Sequence, residues 1–150
     1  MNKYFVYFSL TGNGDYLAKE LENFGFTPVK IELEKAIKKA SFLVIMKYGG
    51  RAMFKKKEKI KPLNLEFQDD DLVIVGSPIW NDRLSTPVLT ALDQLNLNKE
   101  TTRFVLYPAG MTTKKSFEQI EKLGFSLKPI VIPYPTKYLE ETKRLLNSLK

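Results

Sequence analysis

Apolar residues along this chain recur at two alternating periods, one suited to buried strands and one to amphipathic helices. Residues 3–8 are an aromatic and β-branched run that breaks at Ser9 into small polar residues, which predicts a buried strand followed by a tight loop. Leu17, Ala18 and Leu21 then fall at helical spacing, so a helix is predicted over 13–24, with Gly25 as its left-handed terminating residue. Residues 27–33 set Val29, Ile31 and Leu33 against Lys30 and Glu32, the alternation of a half-exposed edge strand. Residues 71–76 are continuously apolar after Asp71, as a strand covered on both faces should be. Residues 77–82 read as loop, and a helix follows over 86–95 with Ser85 or Thr86 as N-cap and Pro87 in its first turn.

A fourth strand is expected over 103–107, then a loop over 108–111 and a helix over 113–123 closed by Gly124. A fifth strand over 128–132 ends at Pro133 and Pro135, and a last helix covers 138–149. The segment 34–61 reads two ways. Phe42 to Met46 fits a buried strand, whereas Ala36, Ile37, Ala40, Leu43 and Val44 fit a helical stripe; helix is favoured, in two pieces around Gly49-Gly50 and ending in Lys55-Lys56-Lys57.

Strands alternating with helices through short loops predict an α/β fold: a doubly wound, five-stranded parallel sheet of order 2-1-3-4-5 with helices on both faces. Residues 1–150 show no internal repeat or linker, so one domain is expected. In such a sheet, ligands sit beyond the carboxyl ends of the strands where the order reverses, between the first and third strands. Two loops meet there, Ser9 to Gly14 and Ser77 to Asn81.

Composition removes whole classes of chemistry. The chain has no Cys, hence no disulfide framework and no thiolate, and no His, hence no imidazole base and no His-ligated zinc. No apolar run approaches the roughly 20 residues that span a bilayer. Met1-Asn2-Lys3 leads directly into a strand, so a cytoplasmic protein is expected. The formal charge of +7 admits nucleic-acid binding, but the lysines are spread over most of the chain, so neither nucleic-acid nor membrane binding is expected.

The first loop offers hydroxyls and backbone N–H groups at the positive end of a helix dipole, which suits a phosphate; the same residues also serve as an ordinary helix cap. The second carries the single Trp, which either stacks on a flat ligand or tucks onto the following helix as core. Asp69-Asp70-Asp71 reads as solvated charge at the start of a strand, away from the ligand edge. Gly12-Asn13-Gly14 starts a dinucleotide fingerprint that fails at Leu17, and there is no P-loop.

Ser9-Leu10-Thr11-Gly12-Asn13-Gly14 resembles the FMN-phosphate loop of the flavodoxin family, and Val75-Gly76-Ser77-Pro78-Ile79-Trp80 is similar to the flavin-flanking segment of its short single-domain members. The resemblance implies a flavodoxin-like fold and a redox carrier with FMN as cofactor. By position it implies that Ser9, Thr11 and Asn13 bond the phosphate while Gly12 and Gly14 let the backbone approach it. Ser77, Pro78, Ile79, Trp80 and Asn81 would line the isoalloxazine, with Trp80 on one face, and Pro108, Ala109, Gly110 and Met111 would reach the pyrimidine edge. Gly14 replaces the family's usual hydroxyl residue, the loop at Pro108 is short, and the charge is basic where the family is acidic. The basic surface, with Lys55 to Lys61 as a candidate patch, fits an acidic redox partner protein. The rivals are an NAD(P)H-dependent FMN or quinone reductase, with Arg51 and Arg83 near a nucleotide phosphate, and a flavin-free interaction module.

Overall fold

β1 (Lys3–Tyr7) is the strand on which the sheet is built, pairing in parallel with β2 (Thr27–Lys30) on one side and β3 (Leu72–Trp80) on the other. The computed structural model describes residues 1–35, 58–108 and 112–149. β3 continues the sheet to β5 (Arg103–Pro108), and β5 to β6 (Ile130–Val131), all in parallel. Four helices are described: α1 (Asn13–Glu22), α2 (Thr86–Gln94), α3 (Lys114–Lys122) and α4 (Leu139–Asn147). The five parallel strands follow the expected doubly wound order. A two-residue antiparallel strand, β4 (Arg83–Leu84), is added beside β3, so the order in full numbering is β2-β1-β3-β5-β6 with β4 off that path.

Strand alternation divides the core into two layers. Phe5 and Tyr7 of β1, Ile74 of β3 and Val105 and Tyr107 of β5 pack with Leu17, Ala18 and Leu21 of α1 and Leu146 of α4. Val6, Phe8, Val75, Phe104 and Leu106 pack on the opposite face with Val88 and Ala91 of α2 and Ile120 of α3. Helices thus cover both faces. Gly76 sits in the middle of β3 because the Phe5 ring crosses it: a Cβ there would lie 2.6 Å from Phe5 Cζ. Gly25 and Gly124 close α1 and α3 at φ +82° and +90°, as the sequence predicts.

The structure departs from the sequence reading in three places. Residues 77–80, read as loop, continue β3: Ser77, Pro78 and Ile79 lie opposite Leu106, Tyr107 and Pro108. β1 stops pairing at Gly76, so β3 beyond that point has a free edge where Pro78, which lacks an N–H, is tolerated. The hairpin then turns at Asn81 (φ 49°) and Asp82 (φ 63°), both left-handed, and β4 pairs with that edge.

Asp71 is the second departure. It is buried rather than solvated, and its carboxylate accepts from the Asn2 N–H (2.8 Å), Asn2 Nδ2 (3.0 Å) and the Gln68 N–H (2.9 Å), tying the start of β1 to the start of β3. Asp70 pairs with the N-terminal ammonium at 3.1 Å.

Third, β2 ends at Lys30, and the chain beyond it forms an antiparallel bridge from Leu33 to Ile60. The helix expected within 34–61, with Arg51 and Lys55 to Lys57, falls mostly outside the described residues.

Candidate functional site

The carboxyl ends of β1 and β3 stand side by side, Tyr7 opposite Gly76, and the Phe8 N–H donates to the Gly76 carbonyl at 3.2 Å. From there the chain runs through 9–12 into α1. Gly12 takes φ +95°, a left-handed turn that L side chains resist, and its carbonyl accepts the Tyr16 N–H at 2.9 Å to open the helix.

Ser9 caps α1 from a distance. Its Oγ accepts the N–H groups of Gly14 (3.1 Å) and Asp15 (3.3 Å), so two first-turn donors are already satisfied, while its own hydroxyl hydrogen keeps a donor role. Among the described residues, the N–H groups of Leu10, Thr11, Gly12 and Asn13 donate to no protein acceptor. Thr11 is exposed, and Gly12 and Asn13 are half-buried. Four consecutive unpartnered donors at a helix's positive end can bind an anion. The Asn13 side chain is also engaged, its Oδ1 accepting from Thr136 Oγ1 at 3.1 Å.

Gly14 has a packing reason. A Cβ at this position would lie 2.7 Å from the Tyr107 hydroxyl, 2.8 Å from Ser9 Cβ and 2.9 Å from the Phe8 carbonyl oxygen. Tyr107 fills the space a side chain at position 14 would need and donates to the Phe8 carbonyl. Burial pushes the Tyr107 phenol well above its ordinary value, with Tyr7 and Asp15 adding to the effect. Tyr7 is raised chiefly by burial and then by its hydrogen bond to Asp15 Oδ1 (3.0 Å). Asp15 also pairs with Lys30 at 2.8 Å, so the acid nearest the loop is balanced by a cation.

The β3–β4 hairpin forms the other wall. Ser77 Oγ donates to the Pro78 carbonyl at 2.8 Å and accepts the Ser85 N–H at 3.1 Å, with the Ser85 hydroxyl 3.1 Å away. Its hydroxyl is thus committed to holding the hairpin against α2. Trp80 is only 5% exposed. It meets Phe8 edge-on (ring centroids 5.7 Å apart, planes at 88°) and joins the apolar cluster containing Val88 and Ala91 of α2. The indole is a core ring here rather than an open stacking face. Ile79 is buried beside it, Pro78 is half-buried, and Asn81 is exposed at the hairpin tip. Pro108 ends β5 opposite Ile79; Ala109, Gly110 and Met111 lie outside the described residues.

Sequence reasoning missed two polar atoms at this wall, Asp82 Oδ1 and Thr86 Oγ1, which are buried without a hydrogen-bond partner. The Asn81-Asp82 pair, tolerant of the left-handed region, was the available signal for the turn that places Asp82. A cleft of about 230 Å³ opens on the β2 side of the loop, lined by Ser9, Leu10, Lys30, Glu32, Leu33 and Lys61. It is too small for a whole flavin nucleotide, since drug-sized ligand pockets span roughly 300–1,000 Å³.

No protein-family model and no curated protein matches the chain. Solved structures do. A flavoprotein from Lactobacillus acidophilus NCFM, crystallised in complex with FMN, superposes with a TM-score of 0.63 at 17% identity over 95% of this chain and 98% of that one. A candidate flavoprotein from Bacteroides uniformis superposes at 0.73 with 14% identity, covering 97% of each chain. A second, from Bacteroides eggerthii, gives 0.69 at 17% identity over 98% of this chain and 96% of its own. At these identities the likeness establishes the flavodoxin-like α/β fold. Among the described residues no helix is long and apolar enough to cross a membrane.

Proposed function

We propose that this chain binds FMN and works as a flavodoxin-like electron carrier, with the phosphate at the turn between β1 and α1. The observation that carries the reading is the run of unpartnered N–H groups from Leu10 to Asn13, at the point where the strand order reverses and on a fold shared with a protein crystallised with FMN. The Ser9 hydroxyl hydrogen and the Asn13 amide supply further donors, and Gly12 brings the backbone close. The bound flavin would supply the one- and two-electron chemistry that this His- and Cys-free chain lacks. Asn81, exposed at the hairpin tip, would be the residue of the second wall available to the ring, with Trp80 as a buried support rather than a stacking partner. With a formal charge of +7, docking to an acidic redox partner would be salt-sensitive.

The test is direct. Purified protein should be yellow, release FMN on denaturation, and quench added FMN fluorescence when stripped. A colourless protein that ignores FMN overturns the reading. The burial of Trp80 favours a second reading, a flavin-free module on the same scaffold, and that outcome would select it.

A further inference from the structure

The segment between β6 and α4 lies far along the chain from the first loop yet touches it, Thr136 Oγ1 donating to Asn13 Oδ1 across 123 positions. That segment is itself braced. Tyr134 takes a left-handed φ of 48°, and its carbonyl accepts the N–H groups of Lys137 (2.9 Å) and Tyr138 (3.1 Å). The Thr142 hydroxyl reaches back from α4 to the Pro135 carbonyl at 3.1 Å. The Lys137 ammonium lies 5.8 Å from the Tyr134 ring centroid and 5.4 Å from that of Tyr138, over two rings that meet edge-on. Thr136 is exposed, but the turn that carries it is held from both ends.

A carboxamide has two unlike ends. Its oxygen repels an anion and its NH₂ attracts one, so the rotamer that faces a phosphate decides whether the side chain helps or hinders. A hydroxyl donor fixed on the oxygen settles that choice. We infer that Thr136 is a positioning residue for the anion site: it holds Asn13 Oδ1 toward the β6–α4 turn and leaves the Nδ2 donors for the phosphate monoester of the ligand. The inference rests on the FMN reading above and adds to it a residue from the opposite end of the chain. It also makes the segment after β6 a determinant of selectivity for the phosphorylated flavin over the unphosphorylated one.

The experiment compares FMN and riboflavin binding by fluorescence quenching in the wild-type apoprotein, Thr136→Val and Thr136→Ser. Thr136→Val should raise the Kd for FMN about tenfold, the loss expected for one charge-assisted hydrogen bond, while the Kd for riboflavin stays constant. Thr136→Ser, which keeps the donor, should restore FMN affinity. If the wild type binds FMN and Thr136→Val binds it equally well, or loses both ligands in the same proportion, the positioning role is overturned and the FMN reading stands. If the wild type takes up no FMN, both fall together.

Discussion

The Tyr107 hydroxyl donates to the Phe8 carbonyl, linking the end of β5 to the residue that leads into the turn before α1, 99 positions away in sequence. Gly14 sits directly against this pair, leaving no room for a side chain. Gly14→Ala should therefore destabilise the protein by about 1–3 kcal/mol through overpacking. Tyr107→Phe should cost about 1–3 kcal/mol by leaving the buried carbonyl unpaired. Because the removed hydroxyl is the nearest atom to the added methyl, the double variant should lose less than the sum. Urea midpoints for the four proteins measure the coupling, and strict additivity would refute the shared space.

Asp71 should make stability acid-sensitive. The N–H groups of Gln68 and Asn2 hold its carboxyl below the ordinary value of 3.8, with the Asn2 side chain and the N-terminal charge assisting. A carboxylate depressed in the folded state contributes stability that is complete above the unfolded value and is lost as pH falls through the folded one. Unfolding free energy should thus fall as pH drops below about 4. In Asp71→Asn that slope should flatten, with the protein weaker at neutral pH. Denaturant titrations from pH 2 to 7 read both effects.

The sheet was legible in the sequence because its inner strands β1, β3 and β5 are apolar runs between small or charged residues. Val73 to Val75 and Phe104 to Tyr107 announce themselves, and Gly25 and Gly124 mark helix ends by a backbone need only glycine meets cheaply. The β3–β4 hairpin was hidden because Ser77-Pro78 looks like loop; whether a proline fits a strand depends on which edge is vacant, which is a property of β1's length. Which of the two readings of Trp80 holds was hidden for a related reason. Its partner Phe8 and the α2 face come from elsewhere in the chain, and no local pattern reports an edge-on ring contact. Asp71 was misread because a carboxylate amid Asp69 and Asp70 looks solvated unless its N–H donors are known. The tight turn between β1 and α1 was readable from its small polar residues, but that Ser9 satisfies two of the helix's first N–H groups was not.

Thr86 offers a test of opposite sign. The residue is 1% exposed and its hydroxyl unpartnered, so the fold carries a desolvated donor and acceptor at the start of α2. Thr86→Val keeps the shape and removes the polar atom, and should stabilise the apoprotein by about 1 kcal/mol. Thr86→Ser keeps the orphan and loses a methyl, so it should destabilise. A thermal melt that ranked Ser above Val would show that the hydroxyl has a partner in solution.

The Lys30–Asp15 pair tests the anion site itself. At 2.8 Å, with the two side chains 42% and 46% exposed, the pair should add only about 0–1 kcal/mol to stability. Its importance lies in position. Asp15 occupies the first turn of α1, beside the N–H groups proposed to hold a phosphate, and Lys30 cancels its charge. Lys30→Met should leave the melting temperature nearly unchanged yet weaken FMN binding severalfold at low salt, because a bare carboxylate then repels the phosphate. The loss should shrink at about 1 M salt, where the screening length falls to roughly 3 Å. Riboflavin, which has no phosphate, should not respond. Lys30→Met combined with Asp15→Asn should regain FMN affinity, since the neutral amide leaves nothing to cancel. Isothermal titration across salt concentrations reads the four binding outcomes, and a thermal melt reads the stability. A Lys30→Met variant equally tight for FMN at every ionic strength would place the phosphate somewhere other than the start of α1.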